Sequence, residues 1–281
     1  MKSKKVILVT GASSGIGKDA ALKLISEGHI VYGAARRLFN MEDFVQAGGS
    51  SIKMDITNHK EVEAAVEKII SEQGHIDVLI NNAGFAVYGS VEDITIDEAR
   101  QQFEVNIFGL GRITQLVIPY MRARNKGKII NISSIAGKMY MPLGAWYHAS
   151  KHALEGWSDC LRMELEQFGI DVVVIEPGAI KTPFWNVMLD PLRERSKNGF
   201  YEKMAYALDL SGRDFYENKS ASPVSVITDL ISKAIYARRP KTRYIGGKFA
   251  RLMVWMRKYL GDRIFDAIMR LQVNYILSKE S

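Results

Sequence analysis

Tyr147 and Lys151 are four positions apart in a stretch, Ala145 to Gly156, whose pattern opens a helix, so both side chains lie on one face. A tyrosine ordinarily titrates near ~10, too high for good proton transfer at neutral pH. A neighbouring ammonium favours the phenolate, so Lys151 is expected to lower the Tyr147 pKa. Thirteen residues before Tyr147, Ser134 follows an apolar run, where its hydroxyl can hold a substrate oxygen beside the phenol. Tyr-xxx-Lys occurs by chance in many helices. Its weight here comes from Ser134 and from a glycine-rich loop near the N-terminus.

That loop reads Thr10-Gly11-Ala12-Ser13-Ser14-Gly15-Ile16-Gly17, after an apolar run and before a helical pattern of Ala20, Ala21, Leu24 and Ile25. Glycines there allow a tight turn and bring backbone N–H groups close to a pyrophosphate at a helix N-terminus. The second apolar run ends Tyr32-Gly33-Ala34-Ala35-Arg36-Arg37. An NAD site usually places an acid about 20 residues past the glycines, on the ribose 2′-OH. Ala35 stands there instead, followed by two arginines, and a guanidinium matches a 2′-phosphate in geometry and charge. NADP(H) is therefore the expected cofactor, with NAD(H) as a second one the site can accept.

The elements that must carry these residues are legible as an alternation. Val6–Val9, Ile30–Tyr32, Ile76–Ile80, Ile129–Ile132 and Val172–Ile175 read as strands buried on both faces of a parallel sheet. Between them, Val62, Ala65, Val66, Ile69 and Ile70 follow a helical period, as do Leu154, Trp157, Leu161, Leu165 and Phe168. The α/β alternation predicts a Rossmann-type doubly wound sheet with helices on both faces, in one domain over 1–281, with its ligand beyond the carboxyl ends of the strands. Residues 183–222 read as a long irregular insertion over the substrate, and 247–281 as a C-terminal helical extension. A seventh strand is expected before Arg239.

Composition narrows the class. Hydrophobic residues at 47% suffice for a sizeable core, and a single cysteine rules out an intramolecular disulfide. Cys160 lies in the Leu154–Phe168 periodic stretch and reads as a packing residue. No apolar run reaches the ~18 residues of a membrane span, and a cytoplasmic location is expected. Of the net charge of +7, the stretch from Arg238 onward carries +8 and the remainder −1.

The motifs together resemble the short-chain dehydrogenase/reductase family over almost the whole chain. The resemblance rests on Thr10–Gly17, Asp55, Asn81-Asn82-Ala83-Gly84, Asn106, Ser134, Tyr147 with Lys151, and Pro177-Gly178 with Thr182. It implies about seven strands and transfer of the pro-S hydride between a nicotinamide cofactor and a carbonyl or alcohol, with Tyr147 as acid/base. It also implies that Gly11, Ser13, Ser14, Gly15, Ile16 and Gly17 hold the pyrophosphate and that Asp55 and Ile56 hold the adenine side. Asn82, Ala83 and Gly84 would flank the adenosine ribose, Lys151 would bind the nicotinamide ribose, and Asn106 would anchor a water of a proton relay. Pro177, Gly178, Ile180 and Thr182 would hold the nicotinamide end. Where NADP-preferring relatives often carry a basic residue inside the glycine loop, Ser14 stands here, leaving Arg36 and Arg37 to take the phosphate. No metal is implied, and a homodimer or homotetramer is.

Phe85, Val87 and Tyr88, Met139 to Met141, and Phe184, Trp185, Met188, Leu189, Phe200, Tyr201, Met204 and Tyr206 surround the expected nicotinamide. This apolar set suits a steroid, a retinoid or a long-chain keto compound. The ending, with Phe249, Leu252, Met253, Met256, Leu260 and Ile264 among basic residues, reads as one basic amphipathic helix or two broken at Gly261. It resembles the 17β-hydroxysteroid dehydrogenase-like and retinol dehydrogenase-like branch. Such a tail can close the pocket or dock on a partner subunit, or it can lie on an anionic membrane with Trp255 at the interface. No nucleic-acid-binding module accompanies the charge. Two other functions compete: a reductase of acyl-carrier-bound 3-keto thioesters, and a dinucleotide-sensing regulator without chemistry. The presence of Ser134, Tyr147, Lys151 and Asn106 together argues against the second.

Overall fold

The computed structural model describes residues 4–217 and 221–278. Seven strands, β1 (Val6–Thr10), β2 (Ile30–Ala35), β3 (Ser50–Lys53), β4 (Val78–Asn81), β5 (Gly127–Ile132), β6 (Ile170–Pro177) and β7 (Arg243–Gly246), form one sheet. All pair in parallel, in the order β3-β2-β1-β4-β5-β6-β7. The apolar runs lack a clean alternation because both strand faces are covered. Ile7 and Val9 pack with Ala20, Ala21 and Leu24 of α1 (Gly15–Ser26) and with Ile227 and Ile231 further along the chain. Val6 and Leu8 face the opposite way.

Helix α2 (Glu42–Gln46) lies on the α1 side, with Phe44 in the same apolar cluster, and the opposite layer holds α3 (His59–Gln73), with Val62, Val66 and Ile69 inward. After β4 come α4 (Ile96–Phe103), a π-helical segment Glu104–Gly109 and α5 (Leu110–Ala123). The long helix α6 (Ala145–Leu165) completes that face through Leu161 and Leu165. Cys160, expected to pack, is exposed instead. The apolar seam of α6 runs through Leu154, Leu161 and Leu165, and Cys160 falls outside it.

Two expectations about order change. Residues 183–222 are not irregular: they hold α7 (Phe184–Ser196) and α8 (Glu202–Glu217). Helix α9 (Ser225–Tyr236) then precedes β7, so the seventh strand lies after Arg239, not before it. Its four residues alternate in burial, and with Arg243 at its start it lacks the continuous apolar run by which the other strands are read.

The tail forms α10 (Ala250–Tyr259) and α11 (Gly261–Ser278), broken at Gly261, whose φ of +73° favours glycine. It docks on the body of the protein. Phe265 is fully buried, edge-on to Tyr140 at 5.2 Å, and the Tyr140 hydroxyl donates to Asp266 at 2.7 Å. Met253, Met256 and Met269 pack against Met139 and Met141 in the same cluster.

Candidate active site

The switch point of the sheet lies at β1, whose neighbours β2 and β4 are reached by crossovers in opposite directions, and a cleft of about 930 Å³ opens above it. At its floor the loops after β1 and β4 are tied together. The Thr10 hydroxyl accepts from the Asn82 and Ala83 amides, both at 3.0 Å, while Asn82 Nδ2 donates to the carbonyls of Thr10 at 3.0 Å and Gly11 at 3.1 Å. Gly11 has a φ of +68°, and a Cβ there would stand 2.9 Å from the Ala83 Cα. A Cβ on Gly17 would overlap the Asn82 amide and the Gly11 carbonyl. Side chains are thereby excluded from the start of α1, whose N-cap residue Ser14 makes no side-chain cap. Uncapped N–H groups at a helix N-terminus, above a cradle shaped by missing side chains, fit a pyrophosphate.

Gly11, Ser13, Ser14, Gly15 and Ile16 line the cleft at this end, as do Arg36, Arg37, Asp55, Ile56, Asn82, Ala83 and Gly84. Arg36 and Arg37 are exposed just past β2, and neither has an ion-pair partner among the described residues. Asp55 Oδ1 accepts from the Thr57 amide at 3.0 Å and its hydroxyl at 2.8 Å, a turn that presents the carboxylate at the cleft edge. Two expected residues lie behind the wall. Gly17 works through the packing just described. Asn106, in the π-helical segment, donates from Nδ2 to the Phe85 carbonyl and to Ser150 Oγ, both at 3.0 Å, and accepts from the Phe85 amide at 3.1 Å. Its side chain is occupied in holding the 85–88 loop to α6.

At the other end, Ser134, Tyr147, Lys151, Pro177, Gly178, Ile180 and Thr182 line the same cleft. Residues 179–181 are held by the Lys181 amide donating to the Ser222 carbonyl at 2.8 Å and the Ser222 amide donating to the Ala179 carbonyl at 3.0 Å. Tyr147 is 8% exposed, and burial pushes its phenol up to about 12, against a lowering by the Ser134 hydroxyl. Lys151 is 7% exposed, and its Nζ donates to the Ile132 carbonyl at 2.9 Å, 5.9 Å from the Tyr147 ring centre. Burial pushes the Lys151 ammonium down to about 8, opposed by Glu155.

The expected lowering of the Tyr147 pKa is thus overturned in the protein alone. Desolvation of the phenol outweighs the pull of an ammonium whose hydrogen bond is directed to a carbonyl. At neutral pH Tyr147 is a protonated phenol, the form able to give a proton to an oxygen that gains negative charge.

Sequence reasoning missed a buried ladder beneath the site and a histidine within it. Asn81 Nδ2 donates to Thr114 Oγ1 at 3.0 Å and to Asn131 Oδ1 at 2.9 Å, and Asn131 Nδ2 donates to Ser158 Oγ at 2.9 Å. This joins α5, β4, β5 and α6. Asn81 opens the Asn81–Gly84 motif, while Asn131, next to the end of β5, carries no sequence signal beyond its place in the strand. His148 lines the cleft next to Tyr147 and was passed over because one helix position offered no reason to single it out. Among the described residues no three His, Cys, Asp or Glu side chains gather as a metal-holding group.

Comparison with known proteins agrees with this geometry. Residues 5–191 match the family model of the short chain dehydrogenases. The chain is 46% identical to a 3-ketodihydrosphingosine reductase of Bacteroides thetaiotaomicron over 180 residues, a stretch spanning 64% of this chain and 65% of that protein. It is 35% identical to an NADPH-dependent 3-dehydrocapnine reductase of Ornithobacterium rhinotracheale over 275 residues, 93% of this chain and 94% of that one. A crystal structure of a short-chain dehydrogenase from Streptomyces avermitilis superposes with a TM-score of 0.78 at 30% identity, covering 100% of this chain and 98% of that one. Sheet order, cleft and sequence match therefore converge: the chain belongs to the short-chain dehydrogenase family, oxidoreductases that work between CH–OH and C=O groups.

Proposed function

We propose that this protein reduces a ketone on a long-chain lipophilic substrate, with NADPH as the preferred reductant. The observation that carries this reading is the buried, protonated Tyr147 at the junction of a dinucleotide cradle and an apolar chamber. Beyond Tyr147 the cleft is walled largely by apolar side chains, Met139, Met141, Met188, Leu208 and Met269 with the ring of Trp185, which suit an apolar chain better than a sugar. Both similar reductases act by name on keto compounds, one with NADPH, which supports the same direction and cofactor.

In this reading Tyr147 gives its proton to the carbonyl oxygen, and the Ser134 hydroxyl orients that oxygen as charge grows on it. Lys151, fixed by the Ile132 carbonyl, holds the nicotinamide ribose. Ile180 and Thr182 hold the carboxamide, with Pro177 and Gly178 shaping the backbone beneath. Asn82, Ala83 and Gly84 border the adenosine ribose, and Asp55 and Ile56 the adenine. Bound there, the nicotinamide supplies the hydride to the carbonyl carbon. Asn106 serves by position, keeping the 85–88 loop and α6 in register. A second activity, reduction of 3-keto thioesters, fits the chamber less well because α7, α8 and α11 cover it.

Helix α10 also supports peripheral contact with a membrane. Leu252, Trp255 and Tyr259 are 50%, 51% and 62% exposed, beside Arg251 and Lys258, while Met253 of the same helix lines the cleft. No helix among the described residues is long and apolar enough to cross a bilayer. Apolar residues among basic ones suit an anionic surface from which a lipophilic ketone would enter.

Four measurements test these assignments. NADPH oxidation against a panel of long-chain ketones, steroids, retinal and 3-keto thioesters should favour the long-chain ketones. The kcat/KM of that reaction should hold near pH 7 and fall above about pH 8. The lowered Lys151 pKa means that its charge is present below about 8 and lost above it. A rate that rises through pH 8 to 9 contradicts the role of the ammonium. Arg36→Glu should raise the KM for NADPH by about tenfold or more while changing that for NADH little, since it loses one charge-assisted contact to the phosphate and places a carboxylate there. Equal effects on both cofactors sink that assignment. The protein should co-sediment with vesicles rich in phosphatidylserine at low salt; absence from the pellet at every salt concentration rejects the membrane contact.

A further inference from the structure

Glu155 lies one turn beyond Lys151 on α6, and the two are 4% and 7% exposed. Lys138 Nζ and Arg243 Nε each stand 2.9 Å from the same carboxylate oxygen, Oε2, so two cations fix the end of the side chain. The other oxygen, Oε1, is shut off from solvent and has no hydrogen-bond partner. Glu176, buried at the next-to-last position of β6, has Arg243 Nε 3.2 Å from its Oε1 but makes no hydrogen bond through either oxygen. Two buried carboxyl groups with bare oxygens are costly unless a proton stands between them. Burial first, and Glu155 second, push Glu176 up to about 7, and a protonated Glu176 donates to Glu155. Glu155 then keeps the negative charge.

Its partners come from the segments that carry the reacting groups. Lys138 follows the short turn Ile135–Gly137 that begins at Ser134, and Glu176 precedes Pro177 and Gly178. Gly137 leaves the room for this meeting, since a Cβ there would stand 2.8 Å from Glu155 Cγ and 2.9 Å from the Lys151 carbonyl oxygen. The other groups packed about Lys151 are neutral. Tyr147 is a phenol and His148 a ring whose pKa burial lowers, β5 offers the Ile132 carbonyl, and the π-helical segment brings the Asn106 amide to Ser150. Asp159, one turn further along α6, is held by Arg243 at 2.7 Å and by Arg162 at 3.3 Å. Against the desolvation of the Lys151 ammonium, Glu155 is the charge that acts.

We propose that Glu155 is a positioning residue of this site: its carboxylate is the buried counter-charge of the Lys151 ammonium, and Lys138, Arg243 and Glu176 set how much of that charge Lys151 feels. This role deepens the reading of Lys151 as the holder of the nicotinamide ribose and rests on it. A charge one helical turn away in a desolvated interior is weakly screened, so it acts without contact. The two cations on Oε2 offset it, while a protonated Glu176 anchors Oε1 without adding a second full charge. Lys151 thereby stays charged up to about pH 8 despite its burial.

The direct readout is the titration of Lys151 in the whole chain, followed by carbon-13 NMR of lysine-labelled protein, with the signal identified by its loss in Lys151→Arg. Glu155→Gln keeps the shape and removes the charge, and should move the midpoint down by about one pH unit. Lys138→Met, at a side chain 30% exposed, removes a cation from Oε2 and should move the midpoint up, by about 0.3 unit or more. A structural role alone would lower the rate without moving the midpoint, least of all in opposite directions. Either midpoint unmoved, or moved the other way, overturns the proposal, and Lys138→Met alone decides where Glu155→Gln does not fold. The alkaline fall of kcat/KM with NADPH and a long-chain ketone should follow the same two shifts. Shifts in the resonance without matching shifts in kcat/KM support the counter-charge and defeat only the reading of Lys151 in the reaction.

Discussion

The hydrogen bond from Lys151 Nζ to the Ile132 carbonyl, at 2.9 Å, pins the start of α6 to the end of β5, and the reacting centre depends on it. It fixes the ammonium away from the phenol, so two buried ionisable groups share one pocket without forming an ion pair. Each is then pushed by desolvation toward its neutral form, Tyr147 up to about 12 and Lys151 down to about 8. The result is a proton donor beside a cation that titrates close to working pH. Ser134 completes the group because it follows the same strand, accepting from the Ala136 amide at 3.1 Å and facing Tyr147.

The surroundings hold this pocket in place. Behind Lys151, Glu155 and Glu176 are buried with Arg243, whose Nε stands 2.9 Å from the first and 3.2 Å from the second, while Lys138 pairs with Glu155 at 2.9 Å. Burial and the neighbouring Glu155 push Glu176 up to about 7, so this group keeps a proton that fully ionised carboxylates would lack. In front, Leu143 adopts a φ of +62°, unusual for leucine and costing on the order of 1 kcal/mol. That conformation delivers Gly144 beneath Tyr88 and His148 and is fixed by the Gly89 amide donating to the Leu143 carbonyl at 2.8 Å. The tail closes the far side through Phe265 and Met269, which makes the chamber a product of the chain's last helices as much as of its sheet.

Much of this was legible in residue order because spacing along a strand or helix is also spacing in space. The glycine loop, Arg36, Ser134, Tyr147 and Lys151 each sit at a strand end or on one helix face, and the parallel sheet brings those ends together. What was hidden depends on packing between distant segments. A strand of four residues beginning with Arg243 has no apolar run to mark it, and only its pairing with β6 makes it a strand. Residues 183–222 read as irregular because Pro183, Pro191 and Gly199 interrupt them, although Pro191 lies inside α7. The direction of the Tyr147 shift could not follow from Lys151 one turn away, because burial, not proximity, decides it.

The central claim is that Tyr147 protonates the substrate oxygen. The direct measurement is the rate of NADPH oxidation with a long-chain ketone for Tyr147→Phe, alongside the NADPH dissociation constant of the same variant. The account predicts a loss of about 10²–10⁴-fold in kcat with NADPH affinity nearly unchanged. Turnover close to that of the wild type, with NADPH bound as well as before, would contradict it and place the acid elsewhere.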